Sequence, residues 1–241
     1  MSGHSKWSTI KRKKEKVDSA RAKIFTKIGK EISVAVKMGG ADLNTNSRLR
    51  DVVLKAKANN VPNSNIDRII KKAAGEGSRN NYENITYEGY GPEGVAIIVK
   101  TLTDSKNRTA ANVRHYFDKF GGNLGSTGCV SFLFNKKGVI YVKLEKSQHE
   151  DFMEFCINCS ALDFEISDDI ANVTVLPGDF YDFLDKLKSK DYSILSASVE
   201  EVPGSFVEVK DLANKERLQN LIDSFENDDD VQEVYTNCKD C

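Results

Sequence analysis

The hydrophobic period of this chain changes near residue 80, and the change divides the chain into a helical part and a part rich in strands. Before it, Ile24, Ile28, Ile32 and Ala35 recur at spacings of four, four and three residues, which is the spacing of one helix face. This pattern predicts a helix that ends at Gly39–Gly40, where a left-handed residue can close it.

Two further helical patterns follow the first one, at residues 47–59 and 64–74. Asn63 or Ser64 is placed to cap the third helix, because both side chains can accept from its first N–H groups. The three helices together predict an N-terminal helical domain at residues 1–79.

Beyond residue 80 the pattern is that of strands alternating with helices. Residues 136–204 contain a complete strand–helix–strand–strand–helix–strand series, the order of a ferredoxin-like domain. Its predicted elements are, in chain order, Val139–Leu144, 148–161, Phe164–Ser167, Asn172–Leu176, 179–190 and Ile194–Val199.

The segments on either side of that series repeat the same order. They supply strand Val95–Leu102, helix Asn107–Phe120 and strand Cys129–Phe134 before it, and strand Ser205–Val209, helix Leu212–Glu226 and strand Val231–Thr236 after it. We therefore predict a second ferredoxin-like domain, formed by residues 80–135 and 205–241 and interrupted by the first, with residues 84–89 as an edge strand. The predicted fold class is α+β multidomain: an N-terminal three-helix domain followed by two ferredoxin-like α/β domains, one inserted in the other.

Charge is distributed unevenly between the two parts of the chain. Residues 1–79 contain nineteen Lys and Arg against seven Asp and Glu, a formal charge of +12, whereas residues 80–241 contain sixteen against twenty-nine, a formal charge of −13. Such an asymmetry indicates that one end of the chain meets a polyanion. We expect nucleic acid, because a cationic segment gains affinity by releasing counterions condensed on a phosphate backbone.

The residues predicted to contact nucleic acid lie in a basic arm and on the outward faces of the first and third helices. Lysine predominates among them, and lysine is a point charge, so the set favours contact with the backbone over reading of bases. Trp7 either stacks on a base or packs on the helices, and the charge run is alternatively a solvated surface. The candidates are Lys6, Trp7, Lys11, Arg12, Lys13, Lys14, Lys16, Arg21, Lys23, Lys27, Lys30, Arg68, Lys71 and Lys72.

The second and third helices also allow a helix-turn-helix interpretation, in which a major groove receives Asn65, Arg68, Lys71 and Lys72. A plain helical hairpin explains the same residues, and the connection at residues 60–62 lacks the usual glycine. The hairpin is the interpretation that we favour.

No motif in the chain predicts catalysis, a cofactor or a metal. The pair Cys156/Cys159 falls on a predicted helix, where buried thiols are expected, and the pair Cys238/Cys241 ends the chain, where fraying is expected. The run at residues 228–230 lacks the spacing of a calcium loop, and we expect a solvated turn there. No nucleophile has an identifiable base.

Composition also bounds the compartment. Five cysteines are an odd number, which argues against a closed disulfide framework, and no apolar run approaches the length of a membrane span. We therefore expect a cytoplasmic protein without membrane contact.

The acidic part of the chain confines nucleic acid to the basic part, because carboxylates repel phosphate. It also allows two alternatives. The acidic surface either binds a basic segment of a protein partner, which would make the chain an interaction scaffold, or folds against the basic part and masks it.

Several stretches resemble the YebC/PmpR family over nearly the whole chain. They are GHSKW at 3–7, KIFTKIGKEI at 23–32, NIDRIIKKAAGEG at 65–77, YEGYGPEGVAIIV at 87–99, NRTAANVRHYF at 107–117, GGNLGSTGCVSFLF at 121–134 and DDDVQEVYTN at 228–237. The resemblance implies three domains around an acidic cleft, no catalysis, and nucleic-acid contact through the GHSKW arm and the lysines after it.

The resemblance implies one of two roles. One is a DNA-binding transcriptional regulator, and the other is a ribosome-associated factor that binds ribosomal RNA and relieves stalling at proline-rich stretches. The ribosome or a basic protein segment is then a further partner at the acidic cleft. We predict a non-enzymatic, nucleic-acid-binding regulator of gene expression, with DNA as the first target.

Overall fold

The computed structural model describes residues 17–58, 61–75 and 82–239, with side chains from Ile24 onward. These residues form three helices followed by two antiparallel sheets with packed helices, which confirms the predicted fold class. The elements are, in chain order, α1 (Val17–Gly39), α2 (Ser47–Ala58), α3 (Asn63–Ala74), β1 (Glu83–Tyr90), β2 (Ala96–Thr103), α4 (Lys106–Lys119), β3 (Asn123–Leu124), β4 (Phe134–Lys143), α5 (His149–Asn158), β5 (Asp163–Ser167), β6 (Ile170–Val175), α6 (Phe180–Ser189), β7 (Ser193–Pro203), α7 (Leu212–Asn227) and β8 (Val231–Thr236).

Helix α1 is the centre of the helical bundle that α1, α2 and α3 form, and it packs against both of the other helices. Ile28 and Ile32 of the predicted apolar stripe are buried with Leu49 of α2 and Ile66 of α3 in one core. Burial of each such side chain stabilises the bundle by roughly 1.5–3 kcal/mol. The helical period therefore identified the inward face correctly.

The turn between α1 and α2 is closed by Gly40 and Asn46. Gly40 has a φ of 84°, which glycine adopts without strain, and its N–H donates to Val36 O at 2.8 Å. The Asn46 amide donates to Ala35 O at 2.8 Å and to Gly40 O at 2.7 Å, while its side-chain oxygen accepts from the Leu49 N–H at 3.0 Å. Asn46 thus caps α2 and satisfies carbonyls at the end of α1.

Helix α3 begins differently from the prediction. It starts at Asn63, and Pro62 occupies the N-cap position with a φ of −58° and no side-chain cap. The Pro62 carbonyl accepts from the N–H groups of Asn65 at 2.9 Å and Ile66 at 3.2 Å. Because the proline ring presets this φ, the turn into the helix needs no Asn or Ser side chain.

The first sheet has the strand order β3-β1-β2-β8, with every pair antiparallel, and α4 and α7 cover one face. Ile97 and Val99 of β2 pack on that face against Phe117 of α4 and against Leu218 and Phe225 of α7. Strand β8 comes from the end of the chain, so the first sheet joins segments from both sides of the second.

Two strands predicted for the first sheet domain are wrong. Residues 128–130 form a turn and residues 131–133 a 3₁₀ helix, so the strand predicted at 129–134 is absent. Residues 205–209 contribute only an isolated parallel bridge, from Val207 to Cys238. Strand β1 and the two-residue β3 complete the sheet instead, and β1, which the sequence predicts as an edge strand, lies between β2 and β3.

The physical reason for the first of these errors is Glu88. Its carboxylate accepts hydrogen bonds from the main-chain N–H groups of Gly128, Val130 and Ser131 at 2.8–2.9 Å. These N–H groups are therefore not available to a strand ladder.

The second sheet has the order β5-β6-β4-β7, all antiparallel. With α5 after β4 and α6 after β6, this is the predicted ferredoxin-like order. Ile140 and Val142 of β4 pack with Phe152 of α5 and Phe183 of α6 in the core between the sheet and its helices.

The two sheets are joined where β4 begins. Phe134, the first residue of β4, packs with Ala96 and Ile98 on the face of the first sheet that is opposite to its helices. Lys100 of β2 forms an ion pair with Glu201 of β7 at 2.9 Å. The domain boundaries predicted at residues 79, 135 and 204 stay a prediction.

Candidate nucleic-acid interface

The predicted contact residues fall into two groups, those outside the described part of the chain and those within it. Those of the arm, Lys6, Trp7, Lys11, Arg12, Lys13, Lys14 and Lys16, lie outside the described residues, and so do the side chains of Arg21 and Lys23 on α1. The described residues include Lys27 and Lys30 on α1, and Arg68, Lys71 and Lys72 on α3.

Lys27 and Lys30 point at the body of the chain. The Lys30 ammonium lies 2.6 Å from an oxygen of the Asp230 carboxylate and also donates to Asp229 O at 2.8 Å. Lys27 donates to Glu226 O at 2.8 Å. Both lysines therefore bind oxygens at the end of α7 or in the segment that joins it to β8, and they do not belong to the exposed surface that the sequence predicts.

Asp230 is a buried carboxylate on which several elements converge. Arg108 of α4 donates to its Oδ2 at 2.7 Å, Thr109 of α4 at 2.9 Å and Thr103 of β2 at 3.2 Å, while Lys30 binds Oδ1. Burial raises the pKa of Asp230, but hydrogen bonds from Lys30, Arg108 and Thr109 outweigh it and hold the pKa at about 2. Asp230 is thus ionised at neutral pH and ties α1 to the first sheet.

The expected solvated turn at residues 228–230 is therefore wrong for two of its three aspartates. Asp228 accepts from Asn112 at 3.1 Å and from Tyr116 at 3.2 Å, and its other oxygen accepts from the Asp230 N–H at 2.9 Å. The side-chain partners of Asp228, Asn112 and Tyr116, lie more than a hundred residues away in sequence, so local spacing gave no signal for them.

Helix α3 presents the exposed part of the predicted surface. Arg68, Lys71 and Lys72 are exposed, and no described residue forms a hydrogen bond or an ion pair with their side chains. At 100° per residue the three positions fall within an arc of about 100°, on the face opposite to the buried Ile66 and Ala73. We call this set of three cations the α3 face.

Arg50 and Lys55, two of the four basic residues of α2, form contacts within the bundle. Arg50 donates to Leu43 O at 3.1 Å and Asn44 O at 2.9 Å, and Lys55 pairs with Glu31 of α1 at 2.8 Å. These cations stabilise the turn and the packing of the bundle. The α3 face therefore groups three exposed cations on one side of a helix, whereas α2 adds exposed cations such as Lys57 singly.

Carboxylates are concentrated where the two sheets meet. The Tyr235 hydroxyl donates to Glu233 at 2.7 Å, and burial, followed by the charges of Glu233, Glu200 and Glu201, raises the pKa of Tyr235. Lys100 offsets part of this charge, with its ammonium 4.9 Å from the centroid of the Tyr235 ring. Phosphate is repelled from this region.

Of the first cysteine pair, Cys156 is buried as expected, whereas Cys159 is half-buried. Burial, followed by the charge of Cys159, raises the pKa of the Cys156 thiol to about 12, which keeps it protonated at neutral pH. Cys238 is disulfide-bonded and buried, and Lys239 donates to Val207 O at 2.9 Å, so the fraying expected there does not occur up to residue 239. Within residues 17–58, 61–75 and 82–239, no cluster of His, Cys, Asp and Glu could hold a metal, and no helix is long and apolar enough to cross a bilayer.

Two family models cover almost the whole chain. One, described as the TACO1/YebC protein N-terminal domain, matches residues 5–76, and the other, described as the TACO1/YebC second and third domain, matches residues 82–238. The chain belongs to the TACO1/YebC family. The resemblance that the sequence motifs indicated is thereby confirmed.

Curated relatives in the family match along their full length. A protein of Acetivibrio thermocellus named "Probable transcriptional regulatory protein" is 52% identical over 98% of this chain and 98% of its own. A protein of Hathewaya histolytica named "Probable transcriptional regulatory protein ORF2U" is 50% identical over 99% of this chain and 97% of its own. A crystal structure of a conserved hypothetical protein, Aq1575 from Aquifex aeolicus, superposes with a TM-score of 0.83 at 38% identity, covering 93% of each chain.

Both the exposed and the bound cations involve stretches that resemble the family. The motif at residues 65–77 contains the α3 face, and the motif at residues 228–237 contains Asp230. The charge pattern predicted the role of the first stretch, whereas for residues 228–230 it predicted only a solvated turn. The role of Asp230 depends on Lys30, which lies 200 positions away in the chain.

Proposed function

We propose that this protein is a non-enzymatic regulator of gene expression that binds the backbone of nucleic acid through its N-terminal helical part. The observation that carries the proposal is the α3 face, three exposed cations without a described partner, on a part of the chain with a formal charge of +12. The names of the curated relatives support a regulatory role and make DNA the first candidate target.

The position of the α3 face favours phosphates over bases. Lys71 and Lys72 lie in the last turn of α3, whereas the recognition helix of a helix-turn-helix reads bases with its N-terminal residues. The first turn of α3 contains no acidic or basic residue, so Asn65 is the side chain that stands where a recognition helix would read a base. Lysine binds a phosphate as a point charge, so we expect weak dependence on base sequence.

The same observation favours a second candidate, binding to ribosomal RNA. Contact with phosphates does not distinguish a DNA duplex from a structured RNA. The carboxylates of the sheet domains repel the phosphates of both. In this case the protein acts in translation, and DNA binding in isolation is non-specific.

The test compares a DNA duplex with a structured fragment of ribosomal RNA over a series of salt concentrations, using the full chain. The proposal expects association that weakens steeply as salt rises. Absence of salt-sensitive association with both probes refutes it and favours a scaffold that binds protein through its acidic surface.

Sedimentation of cell extract through a sucrose gradient then separates the two candidates. Cofractionation with ribosomal particles, lost when residues 11–14 are replaced by alanine, supports the role in translation. Sequence-dependent duplex binding at physiological salt, without such cofractionation, supports the role in transcription.

A further inference from the structure

Two lysines of the basic bundle are bound by the rest of the chain at a site built for ammonium groups. Lys27 and Lys30 are three residues apart and therefore lie on the same side of α1. Their hydrogen-bond acceptors include the carbonyls of Glu226 and Asp229 and the carboxylate of Asp230, and the Lys30 ammonium also lies 5.8 Å from the centroid of the Tyr82 ring. We call these three oxygen acceptors the α7 dock, because they follow one another at the end of α7 and just after it.

The α7 dock is assembled by residues outside the helical bundle. Arg108, Thr109 and Thr103 all donate to Oδ2 of Asp230, and Oδ1 is the oxygen that Lys30 binds. If α1 moves away, Oδ2 keeps its three donors and the carboxylate stays neutralised by Arg108. The contact with Lys30 is therefore separable from the fold of the first sheet.

The end of α7 adds to the attraction. The last carbonyls of a helix carry the negative end of its dipole, which favours cations there. The side chain of Lys30 is only 13% exposed and that of Asp230 only 5%, so the pair is weakly screened by salt. Phosphate oxygens offer an ammonium group the same kind of partner, and a polyanion therefore competes directly with the dock.

We propose that the α7 dock withholds Lys27 and Lys30 from phosphate, so that release of α1 from the dock is coupled to the binding of a polyanion. The inference rests on the proposed function of the helical bundle. Since coupling between two equilibria is reciprocal, weakening the dock raises the affinity of the bundle for nucleic acid. The dock is then an autoinhibitory contact within the chain.

A second polar contact between the bundle and the rest of the chain supplies the control. Tyr181 of α6 donates to Asp51 of α2 at 2.8 Å. Tyr181→Phe removes this contact and leaves both lysines on the dock. It distinguishes a general loosening of the bundle from release of the two lysines.

The first measurement needs no nucleic acid. Acylation of lysines in the free protein, read by mass spectrometry, compares Lys30 with the exposed Lys71 of the same molecule. We expect Lys30 to react at least about tenfold more slowly than Lys71, and Asp230→Asn to remove most of that difference. Equal rates for the two lysines in the wild type show that the dock is not formed and overturn the inference.

The second measurement is the affinity for a DNA duplex as a function of salt. Two additional phosphate contacts steepen the slope of log K against log salt by about 2 and raise the affinity about tenfold at low salt. We expect this for Asp230→Asn but not for Tyr181→Phe. The variant Lys30→Gln, which opens the dock but loses a cation, gains less than Asp230→Asn.

The outcomes separate the two proposals. If Asp230→Asn makes Lys30 reactive but leaves the affinity unchanged or lower, the dock is structural and the inference fails, while the proposed function stands. If the wild type binds neither duplex nor RNA, the proposed function fails and the coupling with it.

Should Asp230→Asn not fold, the comparison of Lys30→Gln with Lys55→Gln decides, since both remove one cation. An equal loss of affinity in these two variants counts against the dock.

Discussion

The carboxylate of Glu88 accepts a hydrogen bond from the main-chain N–H of Val130 at 2.9 Å, across 42 positions of sequence. The same carboxylate binds the N–H groups of Gly128 and Ser131, and the side chain is buried. Burial alone would raise the pKa of Glu88, but these main-chain donors outweigh it and lower the pKa. One buried charge therefore holds the segment that leads from the first sheet into the second.

This relationship predicts a loss of stability in the variant Glu88→Gln. An amide has one acceptor oxygen instead of two and lacks the negative charge, so we expect the free energy of unfolding to fall by about 2 kcal/mol at pH 7. Urea denaturation measures the change. Glu154→Gln, at an exposed position of α5, is the control and should lie within about 0.5 kcal/mol of the wild type.

The pH dependence of the Glu88 effect has a definite sign. Because the folded pKa is lowered, the stabilisation is complete above the unfolded pKa of about 4.3 and is lost as the pH falls through the folded value. The difference in the free energy of unfolding between wild type and Glu88→Gln should therefore become smaller as the pH falls. A gap that stays constant down to pH 3 contradicts the assignment.

The sequence predicted the structure well where the deciding interactions are local. The spacing of Ile28 and Ile32 identified the buried face of α1, and alternation of strands and helices identified the ferredoxin-like order of the second sheet. The apolar run at residues 129–134 looks like a strand by the same criterion. It is not one, because Glu88, which is distant in sequence, binds its N–H groups.

In the candidate site, too, the sequence predicted the residues whose position depends on local spacing and missed those that depend on distant partners. The exposure of Arg68 and Lys71 follows from their helical positions relative to Ile66, and the prediction placed them correctly on the outward face. The burial of the Lys30 side chain depends on the Asp230 carboxylate, 200 positions away in the chain, and hydrophobic periodicity does not indicate such a partner. Asn46 was missed because a capping side chain has no apolar period.

Asn46 predicts a second measurable effect on stability. Asn46→Ala removes the cap of α2 and leaves the carbonyls of Ala35 and Gly40 without their donor, which should cost about 2 kcal/mol. Hydrogen exchange should show that amide protection falls mainly in the helical bundle. Asn44→Ala, two residues earlier on the exposed turn, is the control, and equal losses in the two variants would count against the capping role.

Asp230 predicts a stability change at lower pH. Its folded pKa of about 2 lies below the unfolded value near 3.8, so it contributes about 2 kcal/mol that is fully present above the unfolded pKa and lost as the pH falls toward the folded one. We expect the difference in stability between wild type and Asp230→Asn to shrink between about pH 5 and pH 2. Denaturant titrations at several pH values measure it, and a difference that grows in acid excludes this origin.

The α3 face makes the most direct prediction about nucleic acid. Replacement of Arg68, Lys71 and Lys72 by alanine removes up to three phosphate contacts, which should make the slope of log K against log salt shallower by about 2–3 for a DNA duplex. The matched control replaces Lys186, Lys188 and Lys190, at the end of α6, and removes the same charge from an exposed part of the second sheet domain. If both triple variants change the slope equally, only net charge matters, and the α3 face is not the contact surface. A change confined to the first variant, with helix content unaltered by circular dichroism, assigns the contact to α3.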